Sequence, residues 1–210
     1  GVRAQYAPVV AELRQESAWR VREAVAAQMA VFATLFAPRE LREVVAPACA
    51  ALCRDAVQTV RAAAFTGLAA LFVRADLLDE VEEPALRTFL EAELRRLQEG
   101  TFHDRALLAR VCGAYLSSSP VSSSSGRRAE MLGLLDGLAR DRTPNVRLAA
   151  ATALAGLEAG ERVQVSVWPL LVSDPDYDVR YAATGVFVPF SERKAARTAK
   201  LASAPIATAV

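Results

Sequence analysis

Histidine, cysteine and lysine are scarce in this chain, and each scarcity removes a kind of chemistry. The 210 residues include one histidine, His103, which is followed by Asp104. No Ser/His/Asp set can be built around a single imidazole in a divergent stretch, so no catalytic residue is assigned and the chain is read as a non-enzyme. Three cysteines, Cys49, Cys53 and Cys112, are too few for a disulfide framework. Cys49 and Cys53 lie one helical turn apart, but a structural zinc needs four ligands. These thiols are expected to be buried or half-buried as small hydrophobes, with no metal. No glycine-rich phosphate loop is present, and no cofactor is expected. No stretch reaches 18 apolar residues and no secretory segment is evident, so no membrane partner is expected. Reduced thiols fit the cytoplasm, with the nucleus or a cytoskeletal assembly as the other locations. The net charge of +1 argues against an extended nucleic-acid surface. Only Lys194 and Lys200 among the 25 basic residues are lysines. Gly1 stands directly inside helical text, as in a fragment of a longer protein.

What the chain has is repetition. In Asp141–Ala151, DRTPNVRLAAA, an acid stands five places before a Val-Arg pair and an alanine-rich run follows. The arrangement recurs at Glu16–Val21–Arg22, Asp55–Val60–Arg61 and Asp174–Val179–Arg180, with a weaker copy at Glu99–Asp104–Arg105. The five acids are 39, 44, 42 and 33 residues apart. A period near 40 with helical text on both sides predicts an all-α fold, an α-solenoid of about five helical hairpins. The acid falls in the turn between two helices, where it can accept from free N–H groups and meet the helix dipole. The valine begins a buried stripe, and the following alanines let helices approach closely. The arginine stays at the helix edge, within reach of a neighbouring repeat's acid. A structural ladder of Glu16, Arg22, Asp55, Arg61, Asp141, Arg147, Asp174 and Arg180 is therefore expected. Exposed pairs of this kind contribute only ~0–1 kcal/mol each, so the ladder sets register while core burial stabilises.

Taken in order, the repeats fall at about 1–37, 38–77, 78–120, 121–160 and 161–191, with a low-complexity tail over 192–210. Pro8 and Pro47 each stand eight places before their turn acid, which predicts a shared kink in the first helices. Residues 117–126, SSSPVSSSSG, offer nothing to pack and are expected to form a mobile loop.

An acid, four residues, then Val-Arg between paired helices resembles the HEAT repeat. Within that class the turns are most similar to those of the scaffolding (A) subunit of protein phosphatase type 2A, and next to the related regulatory subunit of phosphatase type 4. Ser17-Ala18-Trp19-Arg20-Val21-Arg22, Asp55 with Val60-Arg61-Ala62-Ala63-Ala64, and Pro144-Asn145-Val146-Arg147 carry the resemblance, with Asp178-Val179-Arg180-Tyr181 as a fourth match. It implies a non-catalytic scaffold whose turns form a ridge that grips phosphatase catalytic and regulatory subunits. By position that ridge would be Trp19, Arg20, Gln58, Arg142, Asn145, Asp176 and Tyr177. The other reading of the same residues is a generic HEAT adaptor, a structural component of another large assembly. In either case the partners are other proteins.

Overall fold

The computed structural model describes residues 2–78, 84–119, 126–158, 162 and 166–187, with backbone alone for 2–7. Every regular element among them is helical. In chain order these are α1 (Val2–Leu13), α2 (Trp19–Leu35), α3 (Pro38–Glu40), a π turn (Leu41–Val45) that runs on into α4 (Ala46–Leu52), α5 (Gln58–Leu77) and α6 (Pro84–Glu99). Then come α7 (Phe102–Ser118), α8 (Arg127–Leu138), α9 (Pro144–Ala155), α10 (Trp168–Val172) and α11 (Tyr177–Thr184). The expected tail lies outside the described residues, as do 120–125 of the serine-rich stretch. Helix α7 runs two residues into that stretch, farther than composition suggested. The hydroxyl of Ser117 donates to the Gly113 carbonyl at 2.9 Å, and Ser119, expected in a loop, is buried. Ser and Thr side chains inside a helix commonly donate to the carbonyl four residues back in this way.

Local chemistry sets the helix boundaries. Pro144 opens α9, where its missing N–H costs nothing. Thr101 and Asp104 cap α7 reciprocally, the Thr101 N–H donating to Asp104 Oδ2 at 3.0 Å. Asp176 caps α11 through Oδ1, and Gly185 ends it at φ 69°, a left-handed conformation that suits a residue without Cβ. The expected parallel between Pro8 and Pro47 resolves into different devices. Pro8 sits inside α1, whereas Pro47 comes just after a five-residue π turn in which the Ala46 N–H reaches back to the Leu41 carbonyl. A wider turn ahead of a proline relieves its ring's clash with the carbonyl four residues back.

Sequential helices pair across each turn, and the second helices then pack in a row: α2 on α5, α5 on α7, α7 on α9 and α9 on α11. Small residues set the closest approaches. A Cβ added to Gly67 on α5 would stand 2.3 Å from Met29 Cβ on α2, and one on Gly113 of α7 would stand 2.7 Å from Ala153 Cβ on α9. The stripes behind this row are fully buried: Met29, Val60, Leu68, Leu108, Val146, Leu154 and Val179 belong to one continuous core. Each such side chain contributes roughly 1.5–3 kcal/mol by leaving water. Cys49, Cys53 and Cys112 lie inside it too. A hydrogen bond with Cys53, together with burial, pushes the Cys49 thiol up, and burial does the same for Cys112.

Candidate functional site

The turns between paired helices all carry an acid, but aspartate and glutamate behave differently there. Asp55, Asp141 and Asp174 each accept, through Oδ1, the N–H of the residue two places on (Val57, Thr143 and Asp176) at 2.8 Å. That N–H belongs to the cap residue just before the helix, not to the first helical turn as the sequence suggested. Held this way, each carboxylate faces the preceding helical pair and receives its arginine with two bonds. Arg22 reaches Asp55 at 2.6 and 3.0 Å, Arg105 reaches Asp141 at 2.6 and 3.2 Å, and Arg147 reaches Asp174 at 2.7 and 2.9 Å. The same arginines donate back to carbonyls of their own turn: Arg22 to Glu16, Arg105 to Gly100 and Arg147 to Asp141. Each arginine therefore ties its own turn to the aspartate of the next.

Protonation follows from the pairing. The Arg22 guanidinium holds the Asp55 carboxyl below its ordinary value. Burial pushes Asp141 and Asp174 upward, but bonds from Arg105 and Arg147 and from the backbone outweigh it, and both carboxyls end low. The three arginines are raised in turn, with their aspartates as the main cause.

The ladder differs from the sequence expectation at three places. Glu16 is exposed, and its carboxylate accepts from the Ser17 N–H and hydroxyl at 2.7 and 2.9 Å, with no arginine ion pair among the described residues. Arg180 donates to the Asp174 backbone carbonyl and lies over the Tyr177 ring. Arg61, expected to reach Glu16 or Asp141, makes no ion pair among the described residues. It donates only to the carbonyls of Asp55 and Ala56, at 2.5 and 2.9 Å. Glu99 occupies the position that would receive it, but is exposed and takes no arginine among the described residues. Glu99 is longer than aspartate and still belongs to the last turn of α6, and the Thr101 N–H two residues on is taken by Asp104. Arg105, which stands at the end of the weak copy of the motif, was the rung its sequence signal undersold.

Where the ladder skips, other contacts join the α4–α5 hairpin to α6 and α7. Arg54 pairs with buried Glu93 on α6, which also receives Arg96 at 2.9 Å, and Arg96 continues to Asp104 at 3.0 Å. At the far end of the helices the buried Tyr115 hydroxyl donates to Asp76 at 2.7 Å, and Arg127 lies 3.7 Å from the same carboxylate.

Against this junction lies the main concavity, a groove of about 790 Å³ across α5, α7 and α9. Its floor is apolar, from Phe65, Ala106, Leu107 and Leu148, and its polar groups are Gln58, Asn145, the Ser117 and Thr152 hydroxyls, which bond their own helices, and the side chains of Arg61, His103 and Arg110. No carboxylate lines it among the described residues. Arg110 is exposed, and His103 stacks on Phe102 with ring centroids 3.9 Å apart.

The expected ridge residues divide. Gln58 and Asn145 are exposed and line the groove. Arg142 is exposed at its turn. Trp19 is half-buried and packs on the core, with the exposed Arg20 guanidinium 4.8 Å from its ring centre. Asp176 is occupied as the cap of α11, and half-buried Tyr177 stacks on Tyr181 at 6.4 Å. The groove brings Gln58 and Asn145 together with Arg61, which the motif marks as a ladder residue, and with His103 and Arg110, which no turn motif marks. No group of His, Cys, Asp or Glu among the described residues is arranged to hold a metal ion, and no described helix is long and apolar enough to cross a membrane. No known protein-family model matches the chain, and no curated protein is similar to it in sequence.

Proposed function

We propose that this chain is a non-catalytic protein-binding scaffold, an α-solenoid of about five HEAT repeats whose partner surface is the groove side of the second-helix row. The stacking of α2, α5, α7, α9 and α11 with an open, cation-bearing groove along three of them is the observation that carries this reading. In such a stack the helices are committed to their neighbours' cores, and the turns and inner face remain free to bind. The Cys49 and Cys112 thiols, buried and raised above their ordinary values, are poor nucleophiles.

The partner class that the turn sequences suggest is a serine/threonine phosphatase assembly of type 2A or type 4, in the cytoplasm. Titration calorimetry of the chain with each purified catalytic subunit tests it. The expected result is saturable binding that weakens by about tenfold or more in Gln58→Ala/Asn145→Ala, with the melting temperature unchanged. Binding to neither subunit removes the phosphatase reading and leaves the generic adaptor. Scattering from a compact sphere instead of a curved rod about 50 Å long, five stacked layers at ~10 Å each, would remove the solenoid itself.

A further inference from the structure

From the groove's chemistry we infer that it captures a short, extended, acidic segment of a partner protein, with carboxylates on Arg61 and Arg110 and an apolar side chain between them. The inference rests on the scaffold reading and names the partner chemistry of its surface.

Charge complementarity is the first argument. The groove presents three basic side chains and no acid among its described lining. Two of the three, Arg61 and Arg110, make no ion pair among the described residues. Arg61 is a ladder arginine whose rung is empty, so its guanidinium bonds only carbonyls of its own turn. Arg110 is exposed and makes no hydrogen bond or ion pair among the described residues. Arg22, Arg105 and Arg147 hold equivalent or neighbouring positions and are each consumed by an aspartate.

Spacing is the second. His103 and Arg110 are seven residues apart on α7, about 10 Å at 1.5 Å per residue, and Arg61 stands on the neighbouring helix. The guanidinium groups of Arg61 and Arg110, on separate helices, suit separate carboxylates better than one compact anion. The groove crosses three helices at a spacing of ~10 Å, hence a length of about 20 Å. An extended segment of about six residues covers that distance. Its apolar side chains would meet Phe65 and Leu148, and the Gln58 and Asn145 amides can both donate to and accept from its backbone.

Other occupants fit less well. The chain's own 191–200 segment, SERKAARTAK, has four basic residues and one acid, the wrong sign for this groove. A nucleic-acid strand needs a row of phosphate contacts and stacking platforms, whereas much of this surface is alanine and leucine.

The test is a display library of randomised six-residue peptides selected on the immobilised full chain, followed by fluorescence anisotropy of the enriched peptides. Enriched sequences should carry two or more Asp or Glu with an aromatic or aliphatic residue between them. Their binding should weaken with salt, and fall at least tenfold in Arg61→Gln and in Arg110→Gln, with the melting temperature retained. Exposed Arg110 serves as the second variant if Arg61→Gln disturbs folding. Recovery of no peptides above background, of peptides without acidic enrichment, or of acidic peptides that bind Arg110→Gln at full strength would overturn the inference. So would tighter binding of a twelve-residue oligothymidylate than of the best acidic peptide. A chain that binds a phosphatase catalytic subunit yet selects no acidic peptide fails here alone, and the reverse result fails the phosphatase partner alone.

Discussion

The junction between α2 and α5 and the junction between α5 and α7 join helices of the same row by different means. At the first, Arg22 crosses to Asp55 and the helices close to glycine distance at Gly67. At the second, Arg61 finds no carboxylate, and the connection passes through buried Glu93 on one side and the Tyr115–Asp76 bond on the other. The difference lies at the turn acid. Asp55 stands outside the helix, bonds the N–H two residues on and faces the preceding helix pair, whereas Glu99, one methylene longer, still closes α6 and is exposed. The row lacks a largely covered ion pair there, and the Arg61 guanidinium, bonded only to carbonyls of its own turn, lines a groove instead. A hydrogen-bonded pair of this kind contributes about 1 kcal/mol, so the loss is modest in stability and large in available chemistry.

The first way to break the comparison acts on the regular junction's core. Val60 is fully buried on α5. Val60→Asp should cost ~3 kcal/mol or more by burying an unpaired charge, seen as loss of a cooperative thermal transition. Survival of that transition would mean that the α2–α5 core is loose.

Next comes the ladder itself. Asp174→Asn and Arg147→Gln should each destabilise by about 1 kcal/mol, held to the low end of charged hydrogen bonds by the pair's partial solvation. The double variant should cost less than the sum. Arg61→Gln should leave the denaturation midpoint unmoved. Equal losses from Arg147→Gln and Arg61→Gln in urea melts would erase the distinction between the two junctions.

Acid should act through the same aspartates. Asp55, Asp141 and Asp174 all have folded pKa values below their ordinary ones. Their contribution is therefore fully present above the unfolded value near 3.9 and fades as pH falls toward the depressed folded values. The wild-type melting temperature should drop below about pH 4. A variant with Asn at all three positions should start lower at neutral pH and show a shallower acid limb. Parallel acid limbs would show that other carboxylates govern the acid response.

The smallest expected effect repairs the broken rung. Glu99→Asp should turn the carboxylate toward Arg61 and stabilise by a few tenths of a kcal/mol. It should also weaken acidic-peptide capture by engaging that arginine. Unchanged capture would show that the repaired rung does not form or that Arg61 does not hold the peptide.

The helical hairpins, their turns and most of the buried stripe could be read from the sequence, because periodicity of apolar residues and turn chemistry are local. Trp19, Gln58, Phe102, Pro144 and Tyr177 begin helices three residues after their turn acids, as the motif implies. The serine-rich stretch misled at its start, since Ser117 and Ser118 complete a helix whose preceding turns are already packed. The groove could not be read in advance. Its residues lie on three helices more than 90 residues apart in sequence, from Gln58 to Gly156.

The sequence alone determined which side chains stand at each helix edge, since 3.6 residues per turn fixes the phase of an arginine against its turn acid. It also determined that rungs could exist. Only the tertiary structure decided that each rung runs forward, from an arginine to the following turn's aspartate, and that the rung at Glu99 stays empty. Those outcomes depend on how one helix pair seats on the next, which is set by contacts such as Gly67 on Met29 and Gly113 on Ala153. Two side chains distant in sequence meet only after such packing has placed their backbones, and a shift of an ångström or two decides whether a guanidinium reaches a carboxylate or water.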